Sequence, residues 1–221
     1  MADERTVGIG VEGPGRPPTH VEAEGTAPAS VAPATISAQQ QMPRIHRRVI
    51  KALVEGVGDL PQVDAVVAGV LADVPDGAHA ISLAIPDFQR LVNGLSALLC
   101  PGDPMGAGQR RAGHAFAEGW SRHPCGRVFV DGLRAFPLAR AVVRLADGMR
   151  FGAEGLELDA VLLGAHHMRL TLRGNSSPNL QFFCGCMEGM LGVLGATGVE
   201  AVPEPGPGGS HRLLIAWEPP S

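Results

Sequence analysis

The stretch from about Ser177 to Ala196 constrains the fold more than any other part of the chain. At about 100° per residue, Leu180, Phe183, Cys184, Met187, Met190, Leu191 and Leu194 recur at helical spacing and form one apolar stripe. Gly185, Gly189, Gly192 and Ala196 fall on the opposite side, with only Gln181 and Glu188 as polar relief. A glycine inside a helix costs roughly 1 kcal/mol relative to alanine, so three on one face require another backbone to come close. The stripe is expected to lie on a sheet. The glycine face admits another helix of the same chain, a second subunit or a flat ligand.

On both sides of this helix the period is two. GLELDAVLL and HHMRLTLRG meet at LGAH and read as a hairpin; GVEAVPE and HRLLIAWEP read as a second, turned by the GPGG at 206–209. The preceding half is helical. RIHRRVIKALVEGV, from Arg44, is an amphipathic helix, and PQVDAVVAGVLADVP is a short buried one. Pro86 opens a third, and Asp103 with Pro104 caps a fourth that runs to Trp120. A helical pair broken at Pro137 covers about 124–148. The order predicts an α+β fold, with a helical N-terminal half packed on an antiparallel sheet of two hairpins separated by the long glycine-rich helix.

Residues 1–43 differ in texture. They contain no aromatic residue and no leucine, 11 of them are glycine or proline, and five acids outweigh two arginines. Such a segment buries too little apolar surface to offset its ordering entropy. It reads as a disordered acidic Pro/Gly/Ala-rich tail, leaving 44–221 as a single domain. The N-terminus lacks the apolar run of a secretory signal, and no stretch approaches the roughly 20 apolar residues of a membrane span. With four cysteines in 221 residues, this predicts a cytoplasmic protein with reduced thiols.

A net charge of -4 gives no general field for nucleic acid, and no nucleic-acid partner is expected. Arg44, Arg47, Arg48 and Lys51 nevertheless form a basic stripe on the first helix, read either as a solvated face or as a docking site. Cys184 and Cys186 lie about 200° apart on a helix and cannot easily share an ion, so they read as structural. His114, His123 and Cys125 form the metal-dependent alternative, although the tight cysteine pair of zinc modules is missing. His166 and His167 alternate to opposite faces of a hairpin. No nucleophile elbow and no phosphate-binding loop occurs. The chain is therefore read as non-enzymatic, with no catalytic residues, no metal and no cofactor.

The pattern F-x-x-G-x-x-x-G over Phe182, Gly185 and Gly189, the L-G-A at 194–196 and the closing I-A-W at 215–217 resemble a known superfamily. It contains the vinyl-four-reductase domains, the haem-nitric-oxide-binding domains and the TRAPP transport subunits. Within it, the hairpin MRLTLRG at 168–174, the glycine helix and the terminal tryptophan are similar to a myxobacterial paralogous domain-of-unknown-function family. The resemblance covers roughly 80–218 and is strongest over 154–218. It implies an α+β sensory or adaptor module, frequently dimeric, that binds a small hydrophobic ligand or a protein partner. The residues expected to line that ligand or interface are Phe116, Trp120, Phe182, Gly185, Cys186, Gly189 and Val193. The haem-binding branch grips propionates with a Tyr-x-Ser-x-Arg motif, which a chain without tyrosine does not contain.

Overall fold

Backbone pairing, not helix propensity, decides how the domain begins. The computed structural model describes residues 43–74, 81–150, 152–174 and 179–218. The expected tail, Pro43 aside, lies outside them, as does the Ser177 from which the glycine-rich helix is expected to start. Chain entry is strand β1 (Arg44–His46), followed by helix α1 (Arg47–Val57). The helix expected from Arg44 therefore starts three residues late. Ile45 is buried, and strands β2 (Ser82–Ala84) and β3 (Ala153–Glu154) pair with β1 on either side, an antiparallel sheet that periodicity alone does not show. This splits the basic stripe. Arg47, Arg48 and Lys51 stay exposed on α1, whereas Arg44 donates from Nε to Ser82 Oγ at 2.8 Å and from its terminal nitrogen to the Ser82 carbonyl at 2.9 Å.

Helix α2 (Val63–Ala72) is also not the buried element its hydropathy predicts. Only Val63 and Val70 are buried, because the outward positions are Asp64 and small residues (Ala65, Ala68, Gly69 and Ala72) that do not require cover. It packs on α3 (Ile85–Leu99). Helix α4 (Met105–Arg122) opens at Pro104 without the side-chain cap expected from Asp103. Pro137 separates α5 (Pro124–Arg134) from α6 (Leu138–Arg150), as the sequence predicts.

The C-terminal half folds as hairpin, helix, hairpin. Strands β4 (Glu157–Gly164) and β5 (His167–Arg173) precede α7 (Leu180–Val193), and β6 (Thr197–Pro205) and β7 (His211–Glu218) follow it. The sheet is antiparallel in the order β4-β5-β7-β6. Register places Met168 opposite Ile215 and Leu170 opposite Leu213, so the inward residues of the central strands form one apolar face. Gly195, at φ +94°, turns the chain out of α7, and the Ala196 N–H returns to the Leu191 carbonyl at 3.0 Å. Ala196 is thus past the helix and does not extend its glycine face.

Packing runs in layers from the sheet through α7 and α4 to α1. The helix layers are held by backbone contact. A methyl group on Gly185 would strike the Arg110 carbonyl of α4, and one on Gly113 would meet the Phe182 carbonyl and, at 2.6 Å, the Cys186 nitrogen. Gly119 and Gly56 play the same reciprocal part between α4 and α1, against Ala52 and Ala115. Another helix of the same chain therefore occupies the glycine face of α7 at Gly185 and Gly189.

Candidate apolar ligand site

Where the helices are not zipped by glycine, they leave space. A cavity of about 350 Å³ lies among α1, α3, α4, α5, α6 and α7, with β1, β3 and β4 also contributing to its wall. Phe88, Phe116, Trp120, Phe129, Phe182 and Phe183 line it, so six of the nine aromatic side chains of the chain surround one space. Their rings lock one another in place. Phe182 meets Phe88 edge-on at 5.7 Å, Phe116 at 6.1 Å and Phe183 edge-on at 6.0 Å, while Phe116 stacks on Trp120 at 6.0 Å. Leu145, Met149, Leu156, Leu158, Cys186 and Met190 supply the remaining large apolar wall, and Arg48 is the single charged side chain among the lining residues.

Two thiols face this space differently. Cys186 is fully buried, and desolvation, reinforced by Cys184, pushes its thiol well above the ordinary cysteine range. It is a protonated, apolar wall group. Cys125, at the start of α5, is exposed.

The family described as a protein of unknown function (DUF2378) matches residues 45–218. The chain belongs to this family. No curated protein matches the sequence. Among solved structures, a point variant of Tt H-NOX is similar with a TM-score of 0.58 at 16% identity, over 80% of this chain and 97% of that one. An oxygen-binding H-NOX domain related to soluble guanylate cyclases gives 0.55 at 17%, over 78% and 95%. A mutant H-NOX of T. Tengcongensis gives 0.54 at 16%, over 78% and 97%. At such identities the likeness establishes a shared fold.

Within this family member, the residues expected from sequence divide into two groups. Phe116, Trp120, Phe182 and Cys186 line the cavity. Gly185 and Gly189 instead lie against α4, where a methyl on Gly189 would come within 2.6 Å of Ala117 Cβ, and Val193 is half-buried at the edge of the core. Of the basic stripe, only Arg48 reaches the cavity. His114, His123 and Cys125 do not assemble, and no cluster of three metal-ligating side chains occurs among the described residues. The His123 ring stacks on Trp120 at 6.1 Å, and His166 meets Trp217 edge-on at 6.3 Å.

His114 belongs to a second feature that sequence reading leaves unassembled. Glu188 of α7, 8% exposed, accepts from both Nε and a terminal nitrogen of Arg110, from the Ala201 N–H at 2.9 Å, and bonds His114 Nε2 at 3.0 Å. Arg110 also donates to the Ala201 carbonyl at 2.9 Å, tying α4, α7 and β6 together. Burial by itself raises the Glu188 pKa. The hydrogen bonds from Arg110 and Ala201, with the charges of Arg110 and His114, outweigh it and hold the carboxyl below its ordinary range. Cys184 lies close to this charged group, and burial, partly offset by Arg110, pushes its thiol to about 11. The one signal in sequence is Glu188 itself, an acid on an otherwise apolar helix; nothing local points to Arg110.

Phe88, Phe129 and Met149 are wall residues that periodicity does not single out. Each occupies an ordinary apolar position of its own helix, and only the tertiary arrangement turns them towards a common space.

Proposed function

We propose that this domain is a non-enzymatic sensory module that holds a small hydrophobic ligand in the cavity between α4, α5, α6 and α7. The observation that carries this reading is the concentration of six of nine aromatic side chains around one space in a chain that is only 4% aromatic. A core that merely needed filling would close over such rings, because interiors pack to the density of organic crystals. Pockets of a few hundred Å³ with apolar walls and few polar groups are the usual form of small-molecule sites. The H-NOX-like fold supports a sensory role.

Several solved neighbours are described through their haem, among them a study of haem redox potential and porphyrin distortion. The wall residues here do not fit that group. Of the side chains that hold haem iron, the lining has neither histidine nor tyrosine, its deep thiol is held protonated, and its donors reduce to thioethers and the exposed Cys125. The lining offers one arginine, where a haem would bring two propionates.

Trp120 supplies a direct test. With Trp217→Phe, it becomes the single tryptophan of the chain. A small apolar probe such as 1-naphthol is expected to quench its emission saturably, and Cys186→Phe, which places a ring inside the cavity, is expected to abolish the quenching while the circular dichroism spectrum is kept. Unsaturable quenching, identical in the Cys186→Phe variant, overturns the reading.

A further inference from the structure

The charge distribution around the cavity narrows its ligand. We infer that the natural occupant is a monoanionic amphiphile, with an apolar body among the rings and a carboxylate-like head held at Arg48. This rests on the cavity being a ligand site.

Three observations lead there. First, the interior offers little to a charge. Phe88, Phe116, Phe182 and Met190 present no hydrogen-bonding group, and an ion taken into such surroundings loses several kcal/mol of hydration without replacement. A charged head must therefore stay at the exposed end. Second, Arg48, exposed on α1, is the only charged side chain of the wall, and its planar fork suits a carboxylate. Third, the field at that end is positive. Residues 44–51 carry Arg44, Arg47, Arg48 and Lys51 and no acid, and these four cations outnumber the nearby Glu154 of β3. A cationic head would meet repulsion there, whereas a carboxylate gains a charge-assisted hydrogen bond that a neutral head does not.

A cavity of about 350 Å³, at the lower end of the usual range for small-molecule sites, suits a medium chain or a small ring system as the body. Arg48 already has an interaction partner within the chain. A ligand carboxylate adds to or replaces that partner, which keeps the expected gain moderate.

The test uses the full chain carrying Trp217→Phe and three probes of equal length: decanoate, decanol and decylamine. Trp120 fluorescence titrations are expected to rank decanoate tightest, with decanol roughly tenfold weaker and decylamine weaker still. Arg48→Gln is expected to weaken decanoate about tenfold and to leave decanol unchanged, and Arg48→Lys to restore part of the loss. Decanol or decylamine binding the parent as tightly as decanoate overturns the head-group assignment but keeps the cavity as a ligand site. So does an Arg48→Gln variant that weakens all three probes equally, because the arginine then acts through its methylenes alone. Absence of saturable binding by all three, together with 1-naphthol, removes the cavity reading as well.

Discussion

Helix α7 presents two kinds of surface to its neighbours, and they solve opposite problems. Along Gly185 and Gly189 it lies directly against α4, and the matching Gly113 on α4 lets the approach run both ways. Along Phe182, Cys186 and Met190 it faces a cavity whose rings hold the helices apart. Glycine costs helix stability at each position and returns it as close contact between backbones; large rings do the reverse and leave a space. The pairing of a rigid stack with an adjacent opening is what a ligand-responsive module needs, because the stack fixes the frame against which occupancy of the space is felt.

The largest expected effect comes from breaking the stack. In Gly185→Ala, the new methyl meets the Arg110 carbonyl and the backbone around it, with no flexible side chain to move aside. Overpacking of this kind costs about 3 kcal/mol, against the roughly 1 kcal/mol that alanine gains as a helix former. The net loss of about 2 kcal/mol corresponds to a fall in Tm of roughly 4–8 °C for a domain of this size. Calorimetry of the variant checks it, and a Tm equal to that of the parent would mean that α4 and α7 are free to separate.

Next comes the polar tie between the same helices. Glu188→Gln keeps the shape but removes the charge that Arg110 and His114 surround, and is expected to cost about 2 kcal/mol near neutrality. Its pH dependence is distinctive. The Glu188 pKa is depressed in the folded state, so its contribution is complete above the ordinary glutamate value and is lost as pH falls through the lower, folded value. Urea unfolding followed against pH is therefore expected to show the parent and the variant converging in acid. A constant gap between them down to the lowest pH would break the link between the carboxylate and the helix stack.

How much of this could be read in the sequence follows the range of the interaction. Local signals sufficed for both hairpins, the break at Pro137 and the two buried faces of α7. They failed at Arg44, where β2 and β3 arrive from 38 or more residues away to capture it as strand. They failed at α2, where hydropathy without asymmetry does not distinguish burial from small exposed residues. The aromatic wall was half legible. Phe116, Trp120 and Phe182 stood out through the glycine helix and its neighbours, whereas Phe88 and Phe129 look like any core residue of an amphipathic helix. Arg48 was visible as part of a charged stripe, but its role depends on a cavity whose other walls come from helices and strands far along the chain.

A substitution on the cavity side should be gentler than one in the stack. Gly148 of α6 lies under the Phe129 ring, and a methyl there would meet the ring's outer atoms, not backbone. The ring borders open space and can swing inward. Gly148→Ala is therefore expected to change stability by no more than about 1 kcal/mol while shrinking the cavity, so that 1-naphthol binding to Trp120 weakens several-fold. Loss of stability equal to that of Gly185→Ala would show that the two regions are not mechanically different.

The smallest effect has the opposite sign. Gly192 belongs to the glycine face read from sequence, one heptad beyond Gly185, yet no atom of α4 lies within 4 Å of where its Cβ would stand. Its φ is not positive, so alanine fits the helical backbone without strain. The close approach that justifies Gly185 has ended by this turn, and the entropic cost of glycine remains without compensation. Gly192→Ala is expected to stabilise the domain by about 0.5–1 kcal/mol, raising Tm by roughly 1–4 °C and leaving probe binding unchanged. A decrease in Tm would mean that something else presses on this end of α7. The obvious visitor is a second copy of the chain, and the same variant would then shift the protein towards monomer in analytical ultracentrifugation.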